Sequence, residues 1–224
     1  GGINRKEQTG YFSVALRIAY NTNNIQIDKN SFHDGWQYEG DEPKQKYHAG
    51  DWIHIYGNKN KTELPHDILI ERNFFYNDRQ FNNNNGSAFS IMENMCHHIT
   101  WRNNLFINPH AWNGSLYLKD CDYIFVYNNT FISYDHKSGG CYCMRTGIGT
   151  GNNCKIINNI FNQYSTNSAA ACIQIRELGW SGEMRNNSYW RSIGNQRTIR
   201  YGKSNYYTLD EWQKLGFDQG STYG

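Results

Sequence analysis

Proline is scarce in this chain, with three among 224 residues, and glycine is limited to 21. That composition excludes a collagen-like triple helix and a proline-rich disordered protein. No apolar run approaches the ~18 residues of a membrane-spanning helix, so we expect no membrane span. An excess of charge of one sign is lacking too, since the formal net charge is +2. We therefore expect no nucleic-acid partner of the kind that a basic tail would bind.

Aromatic residues and cysteines are what the chain does have. Aromatics make up 16% of the sequence and all apolar residues 38%, so Tyr, Trp and Phe must supply much of the buried area. Six cysteines favour an oxidising compartment, and we expect a secreted, extracellular or cell-surface protein. Five N-x-S/T sequons suggest surface glycosylation, although an asparagine-rich chain also produces several by chance. They begin at Asn60, Asn85, Asn113, Asn128 and Asn186.

One short pattern returns along the chain: apolar, any, apolar, any, any, Asn, any, aromatic. The spacing of two between its apolar positions is a strand period and not a helix period. Its asparagines are Asn30, Asn73, Asn104, Asn129, Asn159 and Asn187. The aromatic residues two positions later are Phe32, Phe75, Phe106, Phe131, Phe161 and Tyr189. Repetition of this kind predicts a solenoid, in which equivalent residues stack on one another.

A second short strand precedes most copies, as in "DWIHIYG" and "SLYLKDC", and no copy has room for a βαβ crossover helix. We therefore predict an all-β fold, a parallel β-helix of about six to eight coils, over residues 1–205. The aromatic column should stack in the core. The asparagine column should form a ladder in a turn, where Asn tolerates the left-handed conformation.

Residues 206–224 are predicted to cap the same domain with a short helix. Thr208 and Glu211 have the spacing of a capping box. Leu209, Trp212 and Leu215 would form the apolar face that covers the open end of the stack.

Three of the repeats, "DILIERNFFYND", "HHITWRNNLFIN" and "DYIFVYNNTFIS", resemble those of the right-handed parallel β-helices of the pectate-lyase-like superfamily. The resemblance covers about residues 14–200 and implies a right-handed coil. It leaves the function open, because that superfamily holds lyases, hydrolases, epimerases, phage tailspikes and adhesins. The segment "YYTLDEWQKLGFDQGS" resembles the part that follows the last coil in several secreted bacterial members.

The other end of the chain has no comparable cap, since a coil begins almost at once with "YFSVALRIAY". We expect that end to be covered either by a missing N-terminal part of a larger protein or by another chain. The second alternative includes a homo-oligomer and end-to-end stacking, because an uncovered coil is an edge that can pair.

The first strand of each coil should carry a polar and aromatic face along one side of the stack, because alternate side chains point outward. The first predicted outward row is His54, Ser90, Tyr117, Tyr142, Gln174 and Arg200. The next positions are Tyr56, Met92, Lys119, Met144 and Arg176, followed by Glu93, Asp120, Arg145 and Glu177. This composition suits a polysaccharide-binding groove, and it also suits a solvated sheet face.

Two reactions fit that face. For β-elimination on a uronic acid polymer, Lys119, Arg145 and Arg176 would provide the base and the cation that stabilises the developing charge. The resemblance implies that Ca²⁺ would assist, yet the sequence has no Asp-rich calcium loop. For glycoside hydrolysis, Glu93 and Asp120 on adjacent coils would act as the paired carboxylates, with Glu177 in reserve. These acids could equally be turn residues bonded to backbone amides.

The segment "HAGDWIHIYG" resembles the H-x-D-G-I-x-I segment of many superfamily members, with Trp52 in place of the glycine. His48 and Asp51 occupy its matching positions and would bind substrate, transfer a proton or bind a metal. An Asp at the start of a strand also simply closes a turn. "CHHI" offers zinc ligand types, but His97 and His98 should point to opposite faces of a strand, so no zinc or other metal site is predicted there.

Cys96 and Cys121 both lie eight residues before a ladder asparagine. Stacked positions are ~4.8 Å apart, so this pair should be close, and bridged in an oxidising compartment.

The sequence therefore predicts an extracellular β-helix that binds or cleaves an acidic polysaccharide, with lyase and hydrolase both open. The rival hypothesis is a non-catalytic filament, adhesin or tailspike-like subunit, which the tyrosine-rich surface and the uncovered first coil favour.

Overall fold

A computed structural model describes residues 14–33, 51–58, 60, 63–76, 89–108, 114–134, 141–149 and 153–224. In chain order its elements are β1 (Val14–Ile18), β2 (Asn23–Asp28), β3 (Ser31–His33), β4 (Asp51–Tyr56), β5 (His66–Glu71), β6 (Phe74–Tyr76), β7 (Phe89–Glu93), β8 (His97–Arg102), β9 (Leu105–Asn108), β10 (Leu116–Lys119), β11 (Asp122–Tyr127), β12 (Thr130–Ser133), β13 (Tyr142–Thr146), β14 (Lys155–Ile157), β15 (Ile160–Gln163), β16 (Ala171–Ile175), β17 (Glu183–Arg185), β18 (Ser188–Arg191), β19 (Ile199–Tyr201), β20 (Asn205–Tyr207), α1 (Leu209–Lys214) and β21 (Thr222–Tyr223).

The strands form three sheets that the chain visits in turn. The first sheet has the order β1-β4-β7-β10-β13-β16-β19-β20, the second β17-β14-β11-β8-β5-β2, and the third β21-β18-β15-β12-β9-β6-β3. All pairings between named strands are parallel except the one between β19 and β20. We call three consecutive strands, one from each sheet, a rung. The predicted all-β class is confirmed, and three stacked parallel sheets are what a β-helix requires.

The core is built around the predicted aromatic column. Phe32, Phe75, Phe106, Phe131, Phe161 and Tyr189 stack with ring centroids 4.5 to 5.3 Å apart. The second sheet adds buried isoleucines such as Ile68 and Ile99. Trp52 and Trp101 lie against the aromatic column and are also buried. Aromatic rings therefore supply much of the buried area, as the composition predicts.

The predicted asparagine ladder is present beside this stack. The backbone N–H of each ladder asparagine from Asn30 to Asn159 donates to the side-chain oxygen of the next, at 2.9 to 3.0 Å. The predicted backbone conformation was one residue out of place. The left-handed residue is the one before each ladder asparagine, with φ of 53° to 57°, as at Asn103 and Asn128.

The C-terminal segment closes the ladder and packs on the core. Asn187 donates from its backbone to Ser221 and from its side chain to Asp218. In α1 the capping box of Thr208 and Glu211 is formed, and Trp212 belongs to the core cluster.

The prediction for Leu215 is wrong. It is the C-cap residue of α1 and 54% exposed, because the helix ends before its third apolar position can turn toward the core.

The predicted disulfide is not formed, since no disulfide joins any of the six cysteines. Cys96 and Cys121 directly precede His97 and Asp122, which are paired on neighbouring strands. Side chains at paired positions of a parallel sheet point the same way, so their Cβ atoms stay near the ~4.8 Å strand spacing. A disulfide needs about 3.8 Å. The Cys121 thiol instead faces the carbonyl of Met92.

Helix α1 has six residues and is too short to cross a bilayer. No helix in the described part of the chain is long and apolar enough to do so.

Candidate functional site

The outer face of the first sheet carries two rows of side chains at successive rungs. Strand pairing aligns the first row as Arg17, His54, Ile91, Tyr117, Arg145, Gln174 and Arg200. Two residues later on each strand, the second row contains Tyr56, Glu93 and Lys119. Arg176 lies two residues after Gln174, beyond the end of β16. We call these residues the basic face.

Three predicted members of this face are in fact in the core. Ser90 and Met92 are fully buried, and Ile91 occupies the outward row in their place. The reason is a register shift between Asp51 and His54 where β4 pairs with β7. A shift of one residue moves every following side chain to the opposite face. Met144 is likewise a core residue.

Glu93 lies at the centre of the basic face between two partners. Its carboxylate is 3.1 Å from Nε2 of His54 and 2.9 Å from Nζ of Lys119. The hydrogen bond from His54 and the charge and hydrogen bond of Lys119 lower the pKa of Glu93 to about 2. In turn, Glu93 raises the pKa of Lys119. The carboxylate is therefore ionised and held in place.

The predicted alignment of Glu93 with Asp120 is wrong. Glu93 pairs with Lys119, and Asp120 follows one residue later in a left-handed conformation, φ 52°. Its backbone N–H bonds to the carbonyl of Ile148. The reserve acid Glu177 accepts a hydrogen bond from the backbone of Gly149 at 2.8 Å. Asp120 and Glu177 therefore adjoin the same turn, just past the strand ends.

Arginine and tyrosine alternate over the C-terminal half of the face. The Arg145 guanidinium lies 5.1 Å from the Tyr117 ring centroid, and Arg200 packs on Tyr142 and Tyr206. Burial lowers the pKa of Arg145, and the like charges of Arg176 and Arg200 add to that effect.

Two predicted binding residues in this half have structural contacts. Gln174 is buried, and its amide donates to the carbonyl of Gly202. Tyr142 is buried as well, and its hydroxyl accepts a hydrogen bond from Arg200. A burial of this kind is not visible in the sequence, because it depends on the turns that follow each strand.

Some predicted residues fall outside the described part of the chain: His48, Asn85, Asn113 and the side chain of Asp51. Of the remaining sequons, Asn60, Asn128 and Asn186 are exposed. Among the described residues, no group of three or more His, Cys, Asp or Glu side chains is placed to hold a metal ion. The described residues therefore offer no such group for the Ca²⁺ that the resemblance allows.

Sequence reasoning missed Arg17 and Tyr206 as members or neighbours of the basic face. Arg17 packs over Tyr56 at 5.6 Å on the first rungs, and Tyr206 comes from the only antiparallel strand of the described sheets. A signal for Arg17 was available, because "VALRI" alternates like the strands that follow it.

Glu93→Gln should remove a pH-dependent contribution to stability. The folded-state pKa of about 2 lies below the ordinary value of 4.5, so the stabilisation is complete above pH 4.5 and is lost as the pH falls toward 2. The contribution is on the order of 2 kcal/mol after allowance for solvent screening. Urea unfolding at pH 3 and pH 6 measures it: wild type should gain more stability between these values than Glu93→Gln.

Glu183→Gln is the control for that comparison, because Glu183 likewise pairs with two basic side chains, Lys155 and Arg185, but is more exposed than Glu93. Its pH dependence should stay close to that of wild type. Equal pH dependence in wild type and Glu93→Gln would contradict the assignment.

No family model, curated protein or solved structure matches this chain.

Proposed function

We propose that this chain is a right-handed parallel β-helix of the pectate-lyase-like kind, that it acts outside the cell, and that it binds an acidic polysaccharide along its basic face. The observation that carries the proposal is the run of cations on four successive rungs of one sheet face, Lys119, Arg145, Arg176 and Arg200, with Arg17 on the first rung of the same face.

The repeat of the fold suits a repeating ligand. Neighbouring parallel strands are ~4.8 Å apart, so a polymer lying along the stack meets a new set of side chains at each rung. Guanidinium groups bind carboxylates through two parallel hydrogen bonds. The rings of Tyr117 and Tyr206 provide apolar surface for the CH faces of sugars. A chain of uronic acids offers both kinds of group at regular intervals.

The charge balance of the face favours an anion. Among the described side chains of the two rows, Glu93 is the only carboxylate. His54 and Lys119 both contact it. Arg145 lies close enough to Arg176 and Arg200 for their charges to lower its pKa. A bound carboxylate would relieve this repulsion between like charges, which is the electrostatic reason for a polyanionic ligand.

If the chain also cleaves its ligand, β-elimination fits these residues better than hydrolysis. A glycosidase needs a carboxylic acid that is still protonated near neutral pH, whereas the pKa of Glu93 is about 2. In an elimination, Arg145, whose pKa is lowered by burial, would accept the proton next to the uronate carboxylate, and Lys119 and Arg176 would stabilise the charge that develops there. The C4–O bond would then break to leave a C4=C5 double bond, and the departing oxygen would take up a proton.

Lys119→Gln should weaken binding to polygalacturonate about fivefold, which corresponds to the ~1 kcal/mol typical of one exposed charge pair. Lys155→Gln on the second sheet is a matched control: the two lysines are 46% and 44% exposed, and each pairs with a glutamate. Isothermal titration at two salt concentrations measures both variants, with dextran as the neutral polymer.

Binding that is equally strong to dextran, or equally weakened by both substitutions, would overturn the proposal. An increase in ultraviolet absorbance from unsaturated sugar ends would add lyase activity to it. Failure to bind any acidic polymer, together with end-to-end assembly in light scattering, would favour the structural subunit instead.

A further inference from the structure

Three imidazole rings lie together on neighbouring rungs at the start of the second sheet, away from the basic face. They belong to His66 in β5 and to His97 and His98 in β8. The expectation that His97 and His98 point to opposite faces is wrong. His98 has a left-handed backbone, φ 53°, and this turns its ring so that its Nδ1 lies 2.7 Å from Nδ1 of His97.

Ring stacking holds the imidazoles of His97 and His98 in this arrangement. His66 and His97 are parallel, with an interplanar angle of 0° and centroids 5.3 Å apart. His98 stacks on Tyr123 of the next rung, at 4.6 Å and 8°. The two nitrogens are thus brought together by contacts on both neighbouring rungs, so little side-chain freedom remains to be lost when a ligand binds.

The protonation state also suits a cation. At most one proton fits between nitrogens 2.7 Å apart. Placing the proton of each ring on Nε2 leaves both Nδ1 lone pairs free, and neutral imidazole is the form that binds metals. The carboxylate of Asp67 lies 2.7 Å from Nδ1 of His66, and Asp122 pairs with His97 on the neighbouring strand. Both add negative charge that favours a bound cation.

The separation of the two nitrogens indicates which ions fit. With metal–nitrogen distances of 2.0–2.1 Å, two nitrogens 2.7 Å apart subtend about 80–85° at the metal. That angle is close to the right angle between neighbouring ligands in square-planar or tetragonal coordination. A tetrahedral zinc ion would need nitrogens about 3.3–3.4 Å apart. Cu(II) and Ni(II) prefer tetragonal coordination with nitrogen and oxygen ligands, and Cu(II) binds most tightly in the divalent series.

We propose that His97 and His98 chelate a divalent copper or nickel ion through their two Nδ1 atoms, with water at the remaining coordination positions. In the described part of the chain, no third His, Cys, Asp or Glu side chain is placed to join these two ligands. His66 acts as a positioning residue through its stack on His97.

The test is titration of the whole chain with Cu(II), Ni(II) and Zn(II) by calorimetry, with electron paramagnetic resonance of the copper form. We expect one equivalent of Cu(II) with a tetragonal spectrum that shows coupling to two nitrogens, and an affinity order of copper, nickel, zinc. His98→Asn removes one ligand and keeps a residue that tolerates the left-handed backbone. His97→Gln removes the other ligand. Each should weaken copper binding about tenfold or more.

His33→Gln, at an exposed position in β3, is the control and should bind copper like wild type. His66→Gln should weaken binding less than either ligand variant while the two-nitrogen spectrum persists. Circular dichroism confirms that each variant is folded. An unchanged copper affinity and spectrum in both His97→Gln and His98→Asn would overturn the site. Zinc binding as tight as copper binding would overturn the geometric argument for a tetragonal ion.

Discussion

Asn129→Ala is expected to lower the free energy of unfolding by about 3 kcal/mol, because it orphans several buried polar groups at once and each costs about 1–3 kcal/mol. The side-chain oxygen of Asn129 accepts from both the backbone N–H and the side-chain amide of Asn104. Its amide donates to the carbonyl of Trp101 at 2.9 Å and to Asn159 at 3.1 Å. Urea unfolding followed by circular dichroism measures the loss.

Asn162→Ala is the matched control. Asn162 pairs with Ile132 on the outer face of the third sheet and is only partly buried, so its removal should change stability by less than 0.5 kcal/mol or so. Hydrogen exchange should also show faster opening at Asn104 and Asn159 in the Asn129 variant, because each rung is stabilised mainly by its neighbours. Similar losses from the two substitutions would mean that the ladder contributes little to stability.

The repeat predicts the interior of this fold well for a physical reason. Each residue in a column contacts its equivalent in the next rung, and a residue of the same type makes that contact well. The phenylalanine and asparagine columns can therefore be read directly from the sequence. Their stacking distances and hydrogen bonds follow the alignment from Asn30 to Asn187. The short helix was predictable too, since a capping box depends on local spacing alone.

The outer faces were harder to predict because side-chain direction depends on backbone details that the repeat does not encode. One register shift after Asp51 places Ser90 in the core and Ile91 on the outer side of the sheet, the reverse of the prediction. A left-handed residue turns His98 toward His97. In both places, the assumption that side chains alternate strictly assigned residues to the wrong face of the sheet. The candidate sites lie on these outer faces, so they were harder to predict than the core.

The sequence therefore predicted which residues share the candidate face, but it did not predict which residue pairs with Glu93. Lys119, Glu93 and Arg145 were expected on one face, and they lie there. The partner of Glu93 was expected to be a carboxylate, and it is an ammonium group. An ammonium partner does not suit a hydrolase pair, and it suits the anion binding that we propose.

Phe131→Ala is expected to cost about 3–5 kcal/mol, the range for removing a large aromatic side chain from a close-packed core. Phe131 is fully buried, and its ring stacks between Phe106 at 4.7 Å and Phe161 at 5.0 Å. Its removal breaks the aromatic column in a central rung, so the rungs on either side lose a contact surface as well as the buried ring. Thermal and urea unfolding measure the loss in stability.

Phe125→Ala provides the comparison, because Phe125 lies in the same rung but on the outer face of the second sheet, where it is only partly buried beside Tyr127. Its removal should cost about 1 kcal/mol. Polygalacturonate binding by folded Phe131→Ala should weaken at temperatures where the core loosens and recover on cooling, because the core column sets the spacing of the rungs that carry the basic face. Equal costs for the two phenylalanines would contradict a core built on the stacked column.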